Sequence, residues 1–348
     1  MKKILISGNE AIGAGAIQAG CRFYAGYPIT PQNELTAYMA KYMPESGGVF
    51  IQAEAEVSAI NMVFGAAATG ERAMTSSSSP GISLKQEGIS YIAGAELPAV
   101  IVNVMRAGPG LGNIWPAQSD YFQATKGGGH GDYHCIVLAP STVQESFDFM
   151  AQAFDLADKY RNPVMILSDG MLGQMMEPIE IKDAKPKAPS VKKPWAVTGC
   201  KGRERNIAKS FHMIEGDLEQ ANLILQKKYH LIERKEQQSE YGFLDDADVI
   251  LVAYGSMARI AKSAAMQLRK KGKKIGYIRP ISLWPFPSEV FKRVSTGRKK
   301  FLVVEMSYGQ MVEDVRLAVN GKSAVEFLGR SGGGVVSEED ILKKVRGL

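Results

Sequence analysis

Cysteine is scarce: Cys21, Cys135 and Cys200 are the only three in 348 residues, far apart and without a C-x-x-C pair. This argues against a disulfide framework, and against a zinc site or iron–sulfur cluster built by this chain alone. Long apolar runs are also missing. No stretch approaches the roughly 20 residues of a membrane span, and the opening MKKILISGNE has too short an apolar core for a secretion signal. Both absences point to a cytoplasmic protein. Charge imbalance is small, +6, and much of the lysine lies in KDAKPKAPSVKKP (182–194) and RKKGKK (269–274). Neither stretch is interleaved with aromatics and no nucleic-acid module is present, so both read as solvated surface. A docking patch for an acidic partner protein is the alternative.

What is plentiful is apolar sequence in short runs. With 45% hydrophobic and 22% charged residues, the chain can bury the cores of two ordinary domains. KILIS reads as a short buried strand leading into the helix GNEAIGAGAIQAG. The runs GGVFIQA, RAMTSSSS, LPAVIVNVM, HCIVLAP and PVMILSDG then alternate with helical segments such as AEVSAINMVFGAAATG and STVQESFDFMAQAFDLADKY. Strands alternating with helices imply an α/β fold with a mostly parallel sheet covered on both faces. After MMEPIEI the composition turns to Pro, Lys and Gln, and GDLEQANLILQKKYHLIERKEQQSE reads as a polar helix with Leu218, Leu225 and Ile232 on one stripe. A second α/β pattern follows: DVILVAYGS, MARIAKSAAMQLRKKG, KIGYIRPISLWPFP and FLVVEMS.

Six segments are chemically suggestive. In FYAGYPITPQNEL two prolines flank Ile29 and Thr30 and bias both away from helix, so the Thr30 hydroxyl is aimed. The plainer reading makes Thr30 or Asn33 the cap of the next helix. Gly8, Gly13 and Gly15 follow a strand, but their spacing does not fit G-x-G-x-x-G, and no P-loop is present. Glu54 and Glu56 sit where a strand meets a small-residue helix and either cap it or bind something. TSSSSPGISL offers hydroxyls and N–H groups to a polar ligand, or simply an N-cap. NVMRAGPGLGNIWPAQSDY ends an apolar strand in Arg106, where a guanidinium suits a carboxylate. The downstream loop carrying His130, Asp132 and His134 is weak as a metal motif and reads better as a polar wall or subunit contact.

Taken in order, GYPITP, EAEVSAINMVFGAA, TSSSSPGISL, NVMRAGPG, LSDG, IGYIRPISLWPFP and VVEMSYGQM resemble the α subunit of the 2-oxoacid:ferredoxin oxidoreductases, over nearly the whole chain. The resemblance implies a thiamine pyrimidine-binding domain at 1–180, a linker with a polar helix at 181–244 and a smaller transketolase C-terminal-like α/β domain at 245–348. It implies that Thr30 contacts the 2-oxoacid, that Arg106 pairs with its carboxylate, and that Glu56, with Glu54 as the alternative, hydrogen-bonds N1′ of the thiamine aminopyrimidine. Pro28, Ile29, Ser77, Ser78 and Gly81 would line the cofactor cleft, and Leu111, Asn113 and Trp115 the substrate side.

The same resemblance implies that the chain holds half of an active site. SDGM at 168–171 is not followed by the asparagine of a diphosphate–magnesium motif, and no metal ligand is assigned to this chain. A β subunit would supply Mg²⁺ and the diphosphate half, γ and ferredoxin-like δ subunits would complete the complex, and iron–sulfur clusters would lie on partner subunits. Coenzyme A would accept the acyl group and ferredoxin the electrons. Between Leu97 and Thr125 the only basic residue is Arg106, among the apolar Leu111, Ile114 and Trp115. This favours 3-methyl-2-oxobutanoate over 2-oxoglutarate, unless Lys126 or a partner supplies a second cation. A non-catalytic α/β scaffold and an aryl- or indolepyruvate enzyme are the competing readings.

Overall fold

The structure, a computed structural model, describes residues 2–181 and 192–348, so most of the lysine-rich stretch at 182–194 lies outside the described residues. The chain begins β1 (Lys2–Ser7), α1 (Gly8–Gln18), β2 (Phe23–Gly26), α2 (Asn33–Glu45), β3 (Val49–Gln52), α3 (Glu56–Ala68), β4 (Ala73–Ser77) and α4 (Ser79–Gly94). It continues through β5 (Ala99–Met105), α5 (Tyr121–Thr125), β6 (Ile136–Leu138), α6 (Val143–Tyr160), β7 (Pro163–Asp169), α7 (Gly170–Gln174) and β8 (Met176–Ile181). The polar helix is α8 (Asp217–Lys235), followed by β9 (Ser239–Gly242), β10 (Val249–Val252), α9 (Gly255–Lys270), β11 (Ile275–Pro280) and β12 (Ser282–Trp284). Last come α10 (Ser288–Val294), β13 (Lys300–Glu305), α11 (Met311–Val319), β14 (Ala324–Gly329) and α12 (Glu338–Arg346).

Seven strands form the larger sheet in the order β12-β6-β7-β5-β4-β2-β3, all parallel except β12. Every residue of β4, β5 and β7 is buried, as expected where helices cover both faces of a parallel sheet. Helices α1, α2 and α6 pack as one group and α3 with α4 as another. The smaller sheet runs β14-β13-β10-β11-β9, with β9 antiparallel to β11. Its central strands alternate strictly. Ile250, Val252, Phe301 and Val303 join the core of the larger sheet, while Val249, Leu251, Leu302 and Val304 pack with α9 and α12. One apolar core therefore runs without a break from the larger sheet onto one face of the smaller.

Three local expectations differ from the structure. The first strand does not enter the main sheet; β1 pairs antiparallel with β8. Its Leu5 is 66% exposed and only the Ile6 side packs inward, with Ala11, Phe147 and Ile179, so one-sided burial suits a flap over α1 and α6. In α8 the buried stripe is Leu225, Tyr229 and Ile232, and Leu218 lies in the first turn, exposed beyond the packed part. Finally, β12 leaves the second unit and pairs with β6, where Trp284 stacks on His134 at 4.5 Å with Tyr229 edge-on to both.

Candidate active site at the carboxyl edge of the large sheet

Strands β3, β2, β4 and β5 are neighbours and parallel, so the loops leaving their carboxyl ends share one edge of the sheet. Those loops carry the residues that the sequence singles out. The turn after β2 holds Pro28, exposed, and Ile29 and Thr30, each half-buried. It is clamped from below: the Pro31 carbonyl accepts from Asn9 Nδ2 at 2.7 Å and Gln174 Nε2 at 2.9 Å, and both amides also reach Glu34. Neither Thr30 nor Asn33 caps α2. The cap position falls on Gln32, whose side chain instead accepts from Ser76 at 2.6 Å. Asn33 donates to Thr30 Oγ1 at 3.2 Å, which leaves the Thr30 proton free to be donated elsewhere.

Arg106 follows β5 directly and is buried. One terminal nitrogen donates to the Thr30 carbonyl at 2.9 Å and the other to the Leu111 carbonyl at 3.2 Å, while Nε has no partner among the described residues. A buried N–H without an acceptor is costly, so an orphaned guanidinium edge marks a place for an anion. The backbone beneath it is fixed by Ser79, in the serine run already singled out, and by two residues that the sequence reading missed. Arg106 N–H donates to the Ser79 hydroxyl at 3.0 Å, which donates to Asp120 at 2.6 Å; Asn103 also donates to Asp120, at 2.9 Å. Burial pushes the Asp120 carboxyl up, and the two hydrogen bonds oppose that shift. Asn103 was legible as the one polar residue in AVIVNVM, every position of which is buried.

Glu56 opens α3 and is only 6% exposed, whereas Glu54 is exposed and accepts from Ser58. Ala55, not a glutamate, occupies the cap position. A Cβ added at Gly81 would lie 2.1 Å from Ser77 Oγ and 2.6 Å from Glu56 Oε1, so only glycine lets α4 approach this carboxylate. The Ser77 and Ser78 hydroxyls are buried and have no partner among the described residues, and Ser78, at the cap position of α4, makes no side-chain cap bond. Ser77, Ser78 and Ser79 thus run from Glu56 to Arg106. Thr30, Glu56, Arg106, Ser77, Ser78 and Gly81 come together.

The loop beyond Arg106 is arranged differently. Leu111 contributes its carbonyl to Arg106, but its side chain is 81% exposed and that of Trp115 62%. Asn113 is spent on the loop itself, accepting from Trp115 N–H and donating to the Gly332 carbonyl of the smaller unit. Lys126 is ion-paired with Asp314. His130 packs edge-on to Tyr91 and His134 against Trp284, and among the described residues no cluster of His, Cys, Asp or Glu could hold a metal. Asp169 of the Ser-Asp-Gly turn accepts from Met171 and Leu172 N–H and from Ser256, joining α7 to α9. No helix among the described residues is long and apolar enough to cross a membrane.

The chain matches pyruvate flavodoxin/ferredoxin oxidoreductase, thiamine diphosphate-binding, over residues 14–242, and pyruvate:ferredoxin oxidoreductase core domain II over 247–341. It is 51% identical to the ketoisovalerate oxidoreductase subunit VorB of Methanothermobacter thermautotrophicus, across 98% of this chain and 97% of that protein. To the 2-oxoglutarate synthase subunit KorA of Methanothermobacter marburgensis it is 38% identical, across 100% of this chain and 99% of that protein. Among solved structures it resembles the 2-oxoglutarate:ferredoxin oxidoreductase from Magnetococcus marinus with 2-oxoglutarate, coenzyme A and succinyl-CoA bound. The TM-score there is 0.84 at 27% identity, over 99% of this chain, which spans 65% of that longer chain. A split-gene transketolase, at TM-score 0.58 and 14% identity, shares the fold.

Proposed function

Because the chain belongs to the pyruvate flavodoxin/ferredoxin oxidoreductase family, as the α subunit of a 2-oxoacid:ferredoxin oxidoreductase, we propose that it holds the pyrimidine half of a thiamine diphosphate site and acts on 3-methyl-2-oxobutanoate. The products would be the branched acyl-CoA, carbon dioxide and reduced ferredoxin. The observation that carries this reading is the convergence of Thr30, Glu56 and Arg106 on one sheet edge, with Arg106 bonded to the Thr30 turn.

The residues present fit the aminopyrimidine. Glu56 offers a buried carboxylate, Ser77 and Ser78 offer hydroxyls without partners among the described residues, and the missing Cβ of Gly81 lets the Ser77 hydroxyl and the Glu56 carboxylate lie close together against α4. Thiamine diphosphate, when bound, supplies a carbon nucleophile for the 2-oxo carbon and a sink for the electrons left by decarboxylation. Glu56 would hold a proton at pyrimidine N1′, Pro28 and Ile29 would wall the ring, Arg106 Nε–H would take the substrate carboxylate, and the Thr30 hydroxyl would donate to the substrate oxygen.

The metal-binding half belongs elsewhere in this proposal, since Asp169 is committed to α7 and Ser256. A β subunit would bring Mg²⁺ and the diphosphate site, and the β and ferredoxin-like δ subunits, with a γ subunit, would carry electrons over iron–sulfur clusters to ferredoxin. Two observations support the branched substrate. Identity is higher to the ketoisovalerate subunits, and Lys126, the candidate second cation for 2-oxoglutarate, is taken by Asp314. The exposed Leu111 and Trp115 would wall the substrate only together with a partner surface. In the assembled complex, Glu56→Ala should lower kcat for anaerobic acceptor reduction by at least roughly 100-fold. Near-parental turnover would remove Glu56, and with it this reading of the site.

A further inference from the structure

Lys85 lies in the middle of α4 and is fully buried. Its ammonium donates to the Thr75 hydroxyl at 2.7 Å and the Ser76 carbonyl at 3.0 Å, and it makes no ion pair among the described residues. A buried cation without a contacting carboxylate is costly and is found where a charge is needed. Of the ionisable groups near it, Glu56 on α3 is the one whose field acts on it. Tyr24 on β2 is turned to Ser76 and Thr36, Asp120 and Arg106 beyond β5 are engaged by Ser79, and Asp169 at the end of β7 by Ser256. Glu56 in turn is a buried carboxylate with no hydrogen bond among the described residues.

Thr75 and Ser76 immediately precede the two hydroxyls without partners among the described residues, Ser77 and Ser78. The lysine is thus tied to the strand end that forms the cradle, and electrostatically to the carboxylate that faces it. Burial pushes the Lys85 amine down to about 7 and the Glu56 charge opposes this, so the ammonium is poised to respond to the state of its neighbour.

We propose that Lys85 is a positioning residue for the pyrimidine site: lying in the field of the Glu56 carboxylate, it holds the end of β4 through its two hydrogen bonds so that Ser77 and Ser78 face the ring. This rests on the reading of Glu56 given above. The test compares Lys85→Met and Glu56→Ala in the reconstituted complex, measuring thiamine diphosphate affinity, the near-ultraviolet circular dichroism of the bound cofactor, kcat, KM for the 2-oxoacid and the melting temperature. For Lys85→Met we expect an unchanged or higher melting temperature, an altered cofactor dichroism, weaker cofactor binding, and a kcat lower by roughly tenfold or more with KM within about twofold. Parental kcat, affinity and dichroism would overturn the role of Lys85. If Glu56→Ala is inactive while Lys85→Met is normal, the lysine proposal alone falls; if Glu56→Ala is itself normal, the reading of Glu56 falls first. Should Lys85→Met not assemble, Thr75→Val removes one acceptor and leaves the charge. It should lower kcat by roughly three- to tenfold, and an unchanged kcat and dichroism would overturn the proposal.

Discussion

Arg106 shows most directly how single side chains divide their work. One N–H of each terminal nitrogen is spent on the Thr30 or Leu111 carbonyl, and Nε–H has no partner among the described residues, which leaves that edge for an anion. Lysine has no planar fork and could not hold both carbonyls and an anion. Arg106→Lys should therefore raise KM for the 2-oxoacid by roughly ten- to a hundredfold in steady-state assays with less effect on stability. Lys85 gives a second prediction, of stability. Its amine is pushed from 10.5 down to about 7, so between those values the unfolded chain binds a proton that the folded chain does not. Stability should rise with pH from about 7 towards 9 and fall back as pH returns to 7. A melting curve of the cofactor-free chain should show that rise, and Lys85→Met should flatten it.

The two residues were unequally visible beforehand. Arg106 ends an apolar run before a glycine-rich loop, which advertises it. Lys85 hides in a helix, although its spacing from Ile82, Ile89 and Ile92 puts it on the buried stripe, and a lysine there is an anomaly that periodicity can reveal. Asp120 gives no comparable local signal, because it reaches Ser79 and Asn103 only through the long loop that follows β5.

At the scale of elements, alternation of apolar strands with helices was enough to imply a mostly parallel sheet covered on both faces, since burial on both faces leaves a run of apolar residues; the order of its strands was not legible. Pairing partners were less legible. Strand β1 looked like the opening of the main sheet because its Ile4-Leu5-Ile6 run is apolar, but only one of its faces packs. Strand β12 is three residues long, and nothing local says that it will cross to β6. The turn from β7 to α7 is held by one carboxylate: Asp169 accepts from two α7 N–H groups and from Ser256 of α9. Asp169→Ala strands these donors in the interior and should cost about 1–3 kcal/mol in denaturant unfolding. A change within a few tenths of a kcal/mol would show that solvent reaches the turn.

For the whole molecule the shared core matters most. Gln118, on the loop beyond Arg106, donates to the Tyr254 carbonyl at 2.9 Å, and its own side-chain oxygen accepts from Met306 N–H at 3.1 Å. The site loop is thereby fastened to the carboxyl ends of β10 and β13. Together with β12 and the His134–Trp284 stack, this makes the smaller unit part of the scaffold that holds Arg106. A chain truncated after residue 244 should lose β12, expose the edge of β6 and aggregate, whereas a soluble truncated chain with a cooperative melt would mean that the two units fold independently.

If the site is completed by a partner, as proposed above, its substrate preference is the sharpest consequence. In the proposed site Arg106 would supply one carboxylate contact, and Lys126 is occupied by Asp314. The decisive measurement is anaerobic acceptor reduction by the assembled complex with coenzyme A, comparing kcat/KM for 3-methyl-2-oxobutanoate and 2-oxoglutarate. A preference of at least roughly tenfold for the branched acid is expected, because a second carboxylate would be buried without a cation. Equal or greater kcat/KM for 2-oxoglutarate would contradict it.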